Sequence, residues 1–261
     1  LTAKAPSRAR PADLRRLGVA LLRFGAFGAL LVAFLLHHFV AGLVIRDEAR
    51  KLRYYLRSIS RTSDLVLWLL NIRVTVYGDL RTVGPQLVVA NHLSYLDVLV
   101  LFRFFPSLFV TSTEIRDTPV LGHICKLAGC FFVERRRDRR SQTTKHRELG
   151  AMLEKFREGF SVFLFPEGTS SDGSTVLPFK GTFFQLAVDT ETPVRPLCLK
   201  YLGANRDVPP WYGDMTFPDH LFRVCLEDSI AVSVTVLPEI HGTEKMQLAK
   251  QCHALITETY A

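Results

Sequence analysis

Between Arg23 and Arg46 the chain runs for 22 residues, Phe24 to Ile45, without one Asp, Glu, Lys or Arg. Such a segment has to be withdrawn from water. As a helix it rises about 1.5 Å per residue, enough to cross a hydrocarbon layer of roughly 30 Å. Basic residues stand on both flanks, Arg15, Arg16 and Arg23 before it and Arg46, Arg50, Lys51 and Arg53 after it. The positive charge that orients a spanning helix therefore favours neither side. A second, amphipathic segment follows from about Leu52 to Leu70. Two linked helices, apolar and basic, fit a hairpin lying in one leaflet as well as a single span. No small-residue cleavage site of the secretory type is evident, and residues 1–13, rich in Pro, Ala and Arg, read as mobile. The expected organisation is a membrane-anchoring part, residues 1–71, followed by a globular part, residues 72–261.

Charge divides the chain at nearly the same place. Residues 1–61 carry 12 Lys and Arg against Asp13, Asp47 and Glu48, a net of +9, whereas the whole chain is at +8. The anchor is thus suited to an anionic leaflet and the body is neutral.

From Ile72 onward, short apolar runs alternate with helical patterns. The runs Arg73–Tyr77, Gln86–Ala90, Leu108–Thr113, Cys130–Glu134, Phe160–Phe165, Val194–Tyr201 and Val232–Leu237 read as strands. Helices are expected near Leu96–Phe105, Pro119–Ala128, Gln142–Glu158, Gly181–Asp189, Pro218–Leu226 and Thr243–Thr259. This alternation predicts an α/β fold with a mixed, largely parallel central sheet flanked by helices, preceded by the N-terminal helical hairpin.

Several chemistries are disfavoured. There is no phosphate-binding glycine loop after a strand, no G-x-S-x-G elbow, and no Cys or His spacing suited to zinc, so no metal site is expected. The five cysteines, Cys125, Cys130, Cys198, Cys225 and Cys252, lie mostly in apolar runs and read as buried thiols in a reducing cytosol. Five arginines fall within Arg135–Arg140, but a neutral body without interleaved aromatics does not suit nucleic acid.

Chemistry concentrates in Asn91-His92-Leu93-Ser94-Tyr95-Leu96-Asp97. The preceding strand delivers His92 into a turn, and Ser94 or Asp97 opens the next helix. On one continuous helix, five residues turn through about 140°, so His92 and Asp97 would diverge. With His92 in the turn and Asp97 in the first helical turn they meet as a base and its orienter. Ser94 is a possible nucleophile, but its plainer task is to cap the helix. A second stretch, Phe165-Pro166-Glu167-Gly168-Thr169-Ser170, ends another apolar strand, where a carboxylate is rarely buried without a partner.

Together these stretches resemble the glycerolipid acyltransferase family, whose bacterial members acylate 1-acyl-glycerol-3-phosphate. The first block, N-H-x-S-x-x-D, is matched at Asn91, His92, Ser94 and Asp97. The second, G-x-x-F-[IV]-[DE]-R, is matched at Gly129, Phe132, Val133, Glu134 and Arg135, and the third, F-P-E-G-T, from Phe165 to Thr169. The fourth, an apolar strand carrying proline, is matched at Val194–Leu197. One departure is Ser170, where many members carry arginine.

The resemblance implies an enzyme of membrane lipid synthesis that moves a fatty acyl chain from acyl-CoA or acyl carrier protein to a lysophospholipid hydroxyl, with no bound cofactor. It implies His92 and Asp97 as the catalytic pair, and assigns Glu167, Gly168 and Thr169 to the glycerol phosphate acceptor and Arg135 to its phosphate. Lys180, at a helix start, is a further phosphate candidate. The leading acceptor is 1-acyl-glycerol-3-phosphate, giving phosphatidate; a lyso-aminolipid is the alternative. A His–Asp lipid hydrolase or a non-catalytic membrane module are rivals of other classes. The expected place is the cytoplasmic face of a bacterial inner membrane.

Overall fold

The structure, a computed structural model, describes residues 11–81, 84–134 and 139–261, apart from the side chains of 11–13 and 139–142. Two long helices come first, α1 (Pro11–Val44) and α2 (Glu48–Leu69). Helix α1 begins well before Phe24. Proline suits a first helical position, and the Ala, Leu and Arg residues that follow are strong helix formers. Charge at Arg15, Arg16 and Arg23 limits burial in lipid but does not interrupt a helix. From Leu14 on, α1 buries only Ala20, Phe34, His38 and Ala41, and it exposes Leu22, Leu36, Phe39, Leu43 and Val44. Among the described residues it is the one helix long and apolar enough to cross a membrane.

Helix α2 starts at Asp47, whose carboxylate accepts from the Arg50 backbone N–H at 2.7 Å. It ends at Asn71, which takes the left-handed conformation (φ 51°) that asparagine tolerates after a helix. Its apolar side, with Leu56, Ile59, Val66 and Leu67, belongs to the same buried cluster as the sheet.

Seven strands form one sheet: β1 (Ile72–Tyr77), β2 (Leu87–Ala90), β3 (Leu108–Ser112), β4 (Phe131–Val133), β5 (Val162–Leu164), β6 (Val194–Leu202) and β7 (Ile230–Val236), in the order β1-β7-β6-β2-β5-β3-β4. All neighbours are parallel except β6 and β7. The expected mixed, largely parallel sheet is therefore present. Strand β2 lies between β5 and β6 and is buried along its whole length, as its unbroken apolar run requires.

Helices α3 (Tyr95–Phe104), α4 (Thr113–Arg116), α5 (Leu121–Leu127), α6 (Arg139–Arg157), α7 (Gln185–Asp189), α8 (Phe217–Leu226) and α9 (Lys245–Tyr260) complete the fold. Three differ from expectation. The end of the third predicted strand turns into α4. Helix α5 begins at Leu121 because Val120 takes a positive φ of 64°. The segment expected as one helix from Gly181 to Asp189 divides into a 3-10 turn, Thr182–Phe184, and α7.

Helix α1 is tied to the body at α8. Phe24 meets Phe222 edge-on with ring centroids 5.9 Å apart. The Arg23 guanidinium donates to the Cys225 and Glu227 carbonyls, at 3.2 and 2.6 Å, at the C-terminal end of α8. Those carbonyls have no partner within their own helix, and a cation there also meets the negative end of the helix dipole.

Candidate functional site

The C-terminal ends of parallel strands β2 and β5 lie side by side. The turns that follow them, 91–94 and 165–171, meet at that edge of the sheet, where open α/β sheets commonly place their ligands. Asn91 continues the β2–β6 pairing with its side chain, donating to the Leu199 carbonyl and accepting from the Leu199 N–H, both at 2.8 Å. That double bond holds the chain where it leaves the strand, and His92 follows in the turn.

Ser94 caps α3 by accepting from the Leu96 N–H, and Asp97 answers as the acidic partner of a capping box. Ser94 is fully buried in this task, the plainer of the two roles open to it. Asp97 does more than cap. One carboxylate oxygen, Oδ2, accepts from the backbone N–H of Leu93 (2.6 Å) and Ser94 (2.8 Å) and from His92 Nδ1 (3.0 Å). The other, Oδ1, accepts from the Tyr201 hydroxyl at 2.7 Å. An ionised carboxylate only accepts, so the His92 proton sits on Nδ1 and the Nε2 lone pair is left to act as base. Nε2 has no partner among the described residues, and the ring stacks on Phe165 with centroids 3.8 Å apart and planes 9° apart.

Glu167 is buried, and its oxygens accept from the backbone N–H groups of His92 (2.6 Å) and Leu177 (2.9 Å). Burial pushes its carboxyl up to about 7, outweighing the two N–H donors that favour the charged form. In the fold Glu167 thus fastens the His92 backbone. Gly168 has φ 75°, and a Cβ placed there would stand 2.5 Å from Lys180 Nζ. The positive φ is what calls for glycine, since the Lys180 ammonium is the far end of a flexible side chain and can move aside. Lys180 therefore lies over the turn beside Glu167. The Thr169 hydroxyl donates to the Ser170 carbonyl at 3.4 Å.

The structure brings together His92, Asp97, Glu167, Gly168, Thr169 and Lys180. Arg135 lies outside the described residues. Arg195, in the fourth block, faces away from this edge and pairs with Glu239 at the opposite end of β6.

Some participants were not singled out in the sequence. Tyr201 was legible only as one more residue of an apolar strand. Trp211 donates its backbone N–H to the Leu93 carbonyl at 2.8 Å, and its own carbonyl accepts from the Ser170 hydroxyl. Tyr95 stands edge-on to Trp211, and its hydroxyl reaches His220 Nδ1 at 3.1 Å. No short motif announces these contacts, because each joins segments far apart in the chain.

From His92 an apolar cavity of about 500 Å³ opens between α1, α2, α3 and α5. Phe27, Leu30 and Phe34 of α1, Ile59 and Val66 of α2, and Leu99 of α3 line it. A largely apolar cavity of this size that reaches the histidine suits an apolar ligand whose reacting end stops there.

The raised Glu167 carboxyl makes a prediction about stability. A buried acid held near 7 when folded and near 4.5 when unfolded favours the fold while protonated. Its contribution is complete below pH 4.5 and is lost as pH rises through about 7, on the order of 3 kcal/mol. Glu167→Gln, which cannot ionise, is expected to flatten the fall in melting temperature between pH 5 and pH 8 relative to the natural protein in the same detergent. Equal pH slopes for the two proteins would show that Glu167 does not carry it.

Residues 71–200 match the family model described as Acyltransferase. The chain is 32% identical, over 96% of its length and 93% of the relative's, to a protein of Rhodobacter capsulatus named lyso-ornithine lipid O-acyltransferase. It is 33% identical over 57% of its length to a 1-acyl-sn-glycerol-3-phosphate acyltransferase of Neisseria gonorrhoeae, spanning 57% of that protein. The crystal structure of a 1-acyl-sn-glycerophosphate acyltransferase from Thermotoga maritima superposes with a TM-score of 0.70, covering 95% of this chain and 96% of that one at 20% identity, a likeness of fold.

Proposed function

Because the chain belongs to the acyltransferase family, we propose that it moves a fatty acyl chain from acyl-CoA or acyl carrier protein to the free hydroxyl of a membrane lysolipid. The observation that carries this reading is the His92–Asp97 pair, with His92 in the wall of an apolar cavity of about 500 Å³. The acyl chain fills the cavity and presents its thioester carbonyl at His92. His92 Nε2 takes the proton from the acceptor hydroxyl as the oxygen attacks the carbonyl carbon. The tetrahedral intermediate then collapses, the C–S bond breaks, and the departing thiolate takes the proton back from His92. Asp97 stabilises the intervening imidazolium, and the Tyr201 hydroxyl and two backbone N–H groups hold Asp97 in place.

The acceptor we infer is a lyso-aminolipid of the lyso-ornithine type. Where many family members carry arginine this chain has Ser170, and its hydroxyl is committed to the Trp211 carbonyl. Position 170 therefore offers no guanidinium to an acceptor phosphate. The relative that aligns along nearly the whole chain is named for lyso-ornithine lipid. A second reading, 1-acyl-glycerol-3-phosphate, is favoured by Lys180 over the Gly168 turn, since an ammonium suits phosphate.

Residues 1–71 serve as the membrane-docking part and 72–261 as the acyltransferase domain, at the cytoplasmic face, with the exposed apolar side of α1 against lipid and the basic residues near anionic headgroups. Purified full chain in mixed micelles, given an acyl thioester and each lysolipid in turn, tests the reading by the product formed. Product is expected only when a lysolipid is present, and faster with lyso-ornithine lipid. Faster use of 1-acyl-glycerol-3-phosphate would replace the first acceptor with the second. Thioester hydrolysis without acylated lysolipid would point to a hydrolase instead.

A further inference from the structure

Three of the five cysteines, Cys198, Cys225 and Cys252, are buried, and burial pushes their thiols up to about 12, 11 and 12. Such thiols are inert. Cys125 and Cys130 are differently placed. Helix α5 ends in a Schellman motif: the Gly129 N–H donates to the Lys126 carbonyl at 3.1 Å, and the Cys130 N–H to the Cys125 carbonyl at 2.9 Å. Gly129 has the left-handed φ of 65° that the motif demands, and a Cβ there would run into Leu52 of α2 and Leu108 of β3. This motif brings together the side chains three positions before the helix end and two positions after it, a place where two apolar residues commonly touch. Here both positions are cysteine. Given 2.9 Å between the Cys130 nitrogen and the Cys125 oxygen, ordinary backbone bond lengths keep the two Cα atoms within about 7 Å, inside the range a disulfide needs. Both side chains line the apolar cavity.

We infer that Cys125 and Cys130 form a redox-active dithiol in the cavity wall, which a hydroperoxide closes to a disulfide and a dithiol reductant reopens. The effect on transfer rests on the reading of the cavity given above; bond formation does not. The neighbouring Cys130 thiol pushes the Cys125 thiol down, and Cys130 is itself pushed up by Cys125 and by burial, so Cys125 is the sulfur that attacks first. The Cys125 thiolate displaces the leaving oxygen of the O–O bond and becomes a sulfenic acid. The adjacent Cys130 thiol then attacks that sulfur, giving up its proton to the departing hydroxide, which leaves as water. Two thiols and one hydroperoxide thus give one disulfide, one water and one alcohol, or a second water when the oxidant is hydrogen peroxide. Closure ties the last turn of α5 to the start of β4. Leu121, Ile124 and Ala128 of this segment face the cavity, so the wall is fixed where an acyl chain presses on it.

The two sulfurs fall in different tryptic peptides, because Lys126 lies between them, so bond formation can be read apart from activity. Full chain in detergent is treated with hydrogen peroxide, alkylated, digested without reductant and analysed by mass spectrometry. Peptides 117–126 and 127–135 are expected to be joined, and to separate after reduction. In the same sample acyl transfer is expected to fall about tenfold, within the cost of misplacement near 1 Å, and to recover with reductant. Cys130→Ser is expected to give no joined peptides and no reversible loss, whatever its own starting rate. Peptides that stay separate would overturn the dithiol; joined peptides with an unchanged rate would overturn its control of transfer. Joined peptides in a protein that transfers no acyl group would count against the acyltransferase reading and leave the dithiol standing.

Discussion

Replacing His92 with alanine is expected to lower acyl transfer by about 10²–10⁴-fold, the usual worth of one positioned general base. Among the described residues His92 is the one histidine lining the cavity, and its Nδ1 is held by Asp97, which leaves Nε2 for the proton. The fold should survive, since the contacts that shape the turn run through the backbone. The His92 N–H donates to Glu167 and its carbonyl accepts from Ser171 whatever the side chain. What is lost is the stack on Phe165, worth about 1 kcal/mol, and one of the four donors to Asp97. Steady-state turnover of the purified variant, with its melting temperature as the control for folding, decides the matter. Retention of more than about a third of the natural turnover would remove His92 as the base.

Asp97→Asn is expected to cost about 10²–10³-fold in turnover with little change in the Michaelis constant for either substrate. In a triad hydrolase the same exchange costs about 10⁴, because the amide turns the histidine to the wrong tautomer. Here the Leu93 and Ser94 N–H groups force the amide oxygen into the Oδ2 position, so Nδ1–H keeps its acceptor. The amide nitrogen then faces the Tyr201 oxygen, which can accept. Geometry survives, and the loss is the negative charge that stabilises the imidazolium. Tyr201→Phe serves as the graded control. It removes one of four donors to Asp97 and should cost about ten- to hundredfold, the worth of one hydrogen bond to a charged group. A raised Michaelis constant with unchanged turnover in Asp97→Asn would make Asp97 a binding residue. Asp97→Ala is a poor substitute, because it also strips the capping box from α3.

The sheet and the pair at its edge were readable because both rest on local pattern. Val88 and Val89 in an apolar run of strand length announce a buried strand, and a capping residue followed three positions later by an acid announces where α3 starts. Those two facts place His92 against Asp97 before any tertiary contact is known. Long-range partners were beyond reach. For Glu167 the sequence offered a buried carboxylate in need of partners, and nothing nearby in sequence shows that its oxygens meet the N–H groups of His92 and Leu177. Tyr201 was hidden for the opposite reason: an aromatic residue in an apolar strand suits a core, and its hydroxyl finds Asp97 only through the pairing of β6 with β2. The N-terminal helices read as an anchor on hydropathy alone, and hydropathy does not distinguish a residue facing lipid from one facing a cavity.

On the proposed reading that ambiguity lies in the molecule itself, because α1 and α2 line the cavity beside His92 as well as serving as a mooring. Phe27, Leu30 and Phe34 line the cavity from a helix whose other side is exposed. The anchor therefore cannot be treated as an interchangeable tether. A chimera in which an unrelated transmembrane helix replaced residues 11–69 would reach the same bilayer yet lack two sides of the chamber, and localisation and activity would come apart. On the proposed reading, substitutions on the exposed face of α1 are expected to change membrane attachment, and substitutions at Phe27, Leu30 or Phe34 the acyl chain accepted.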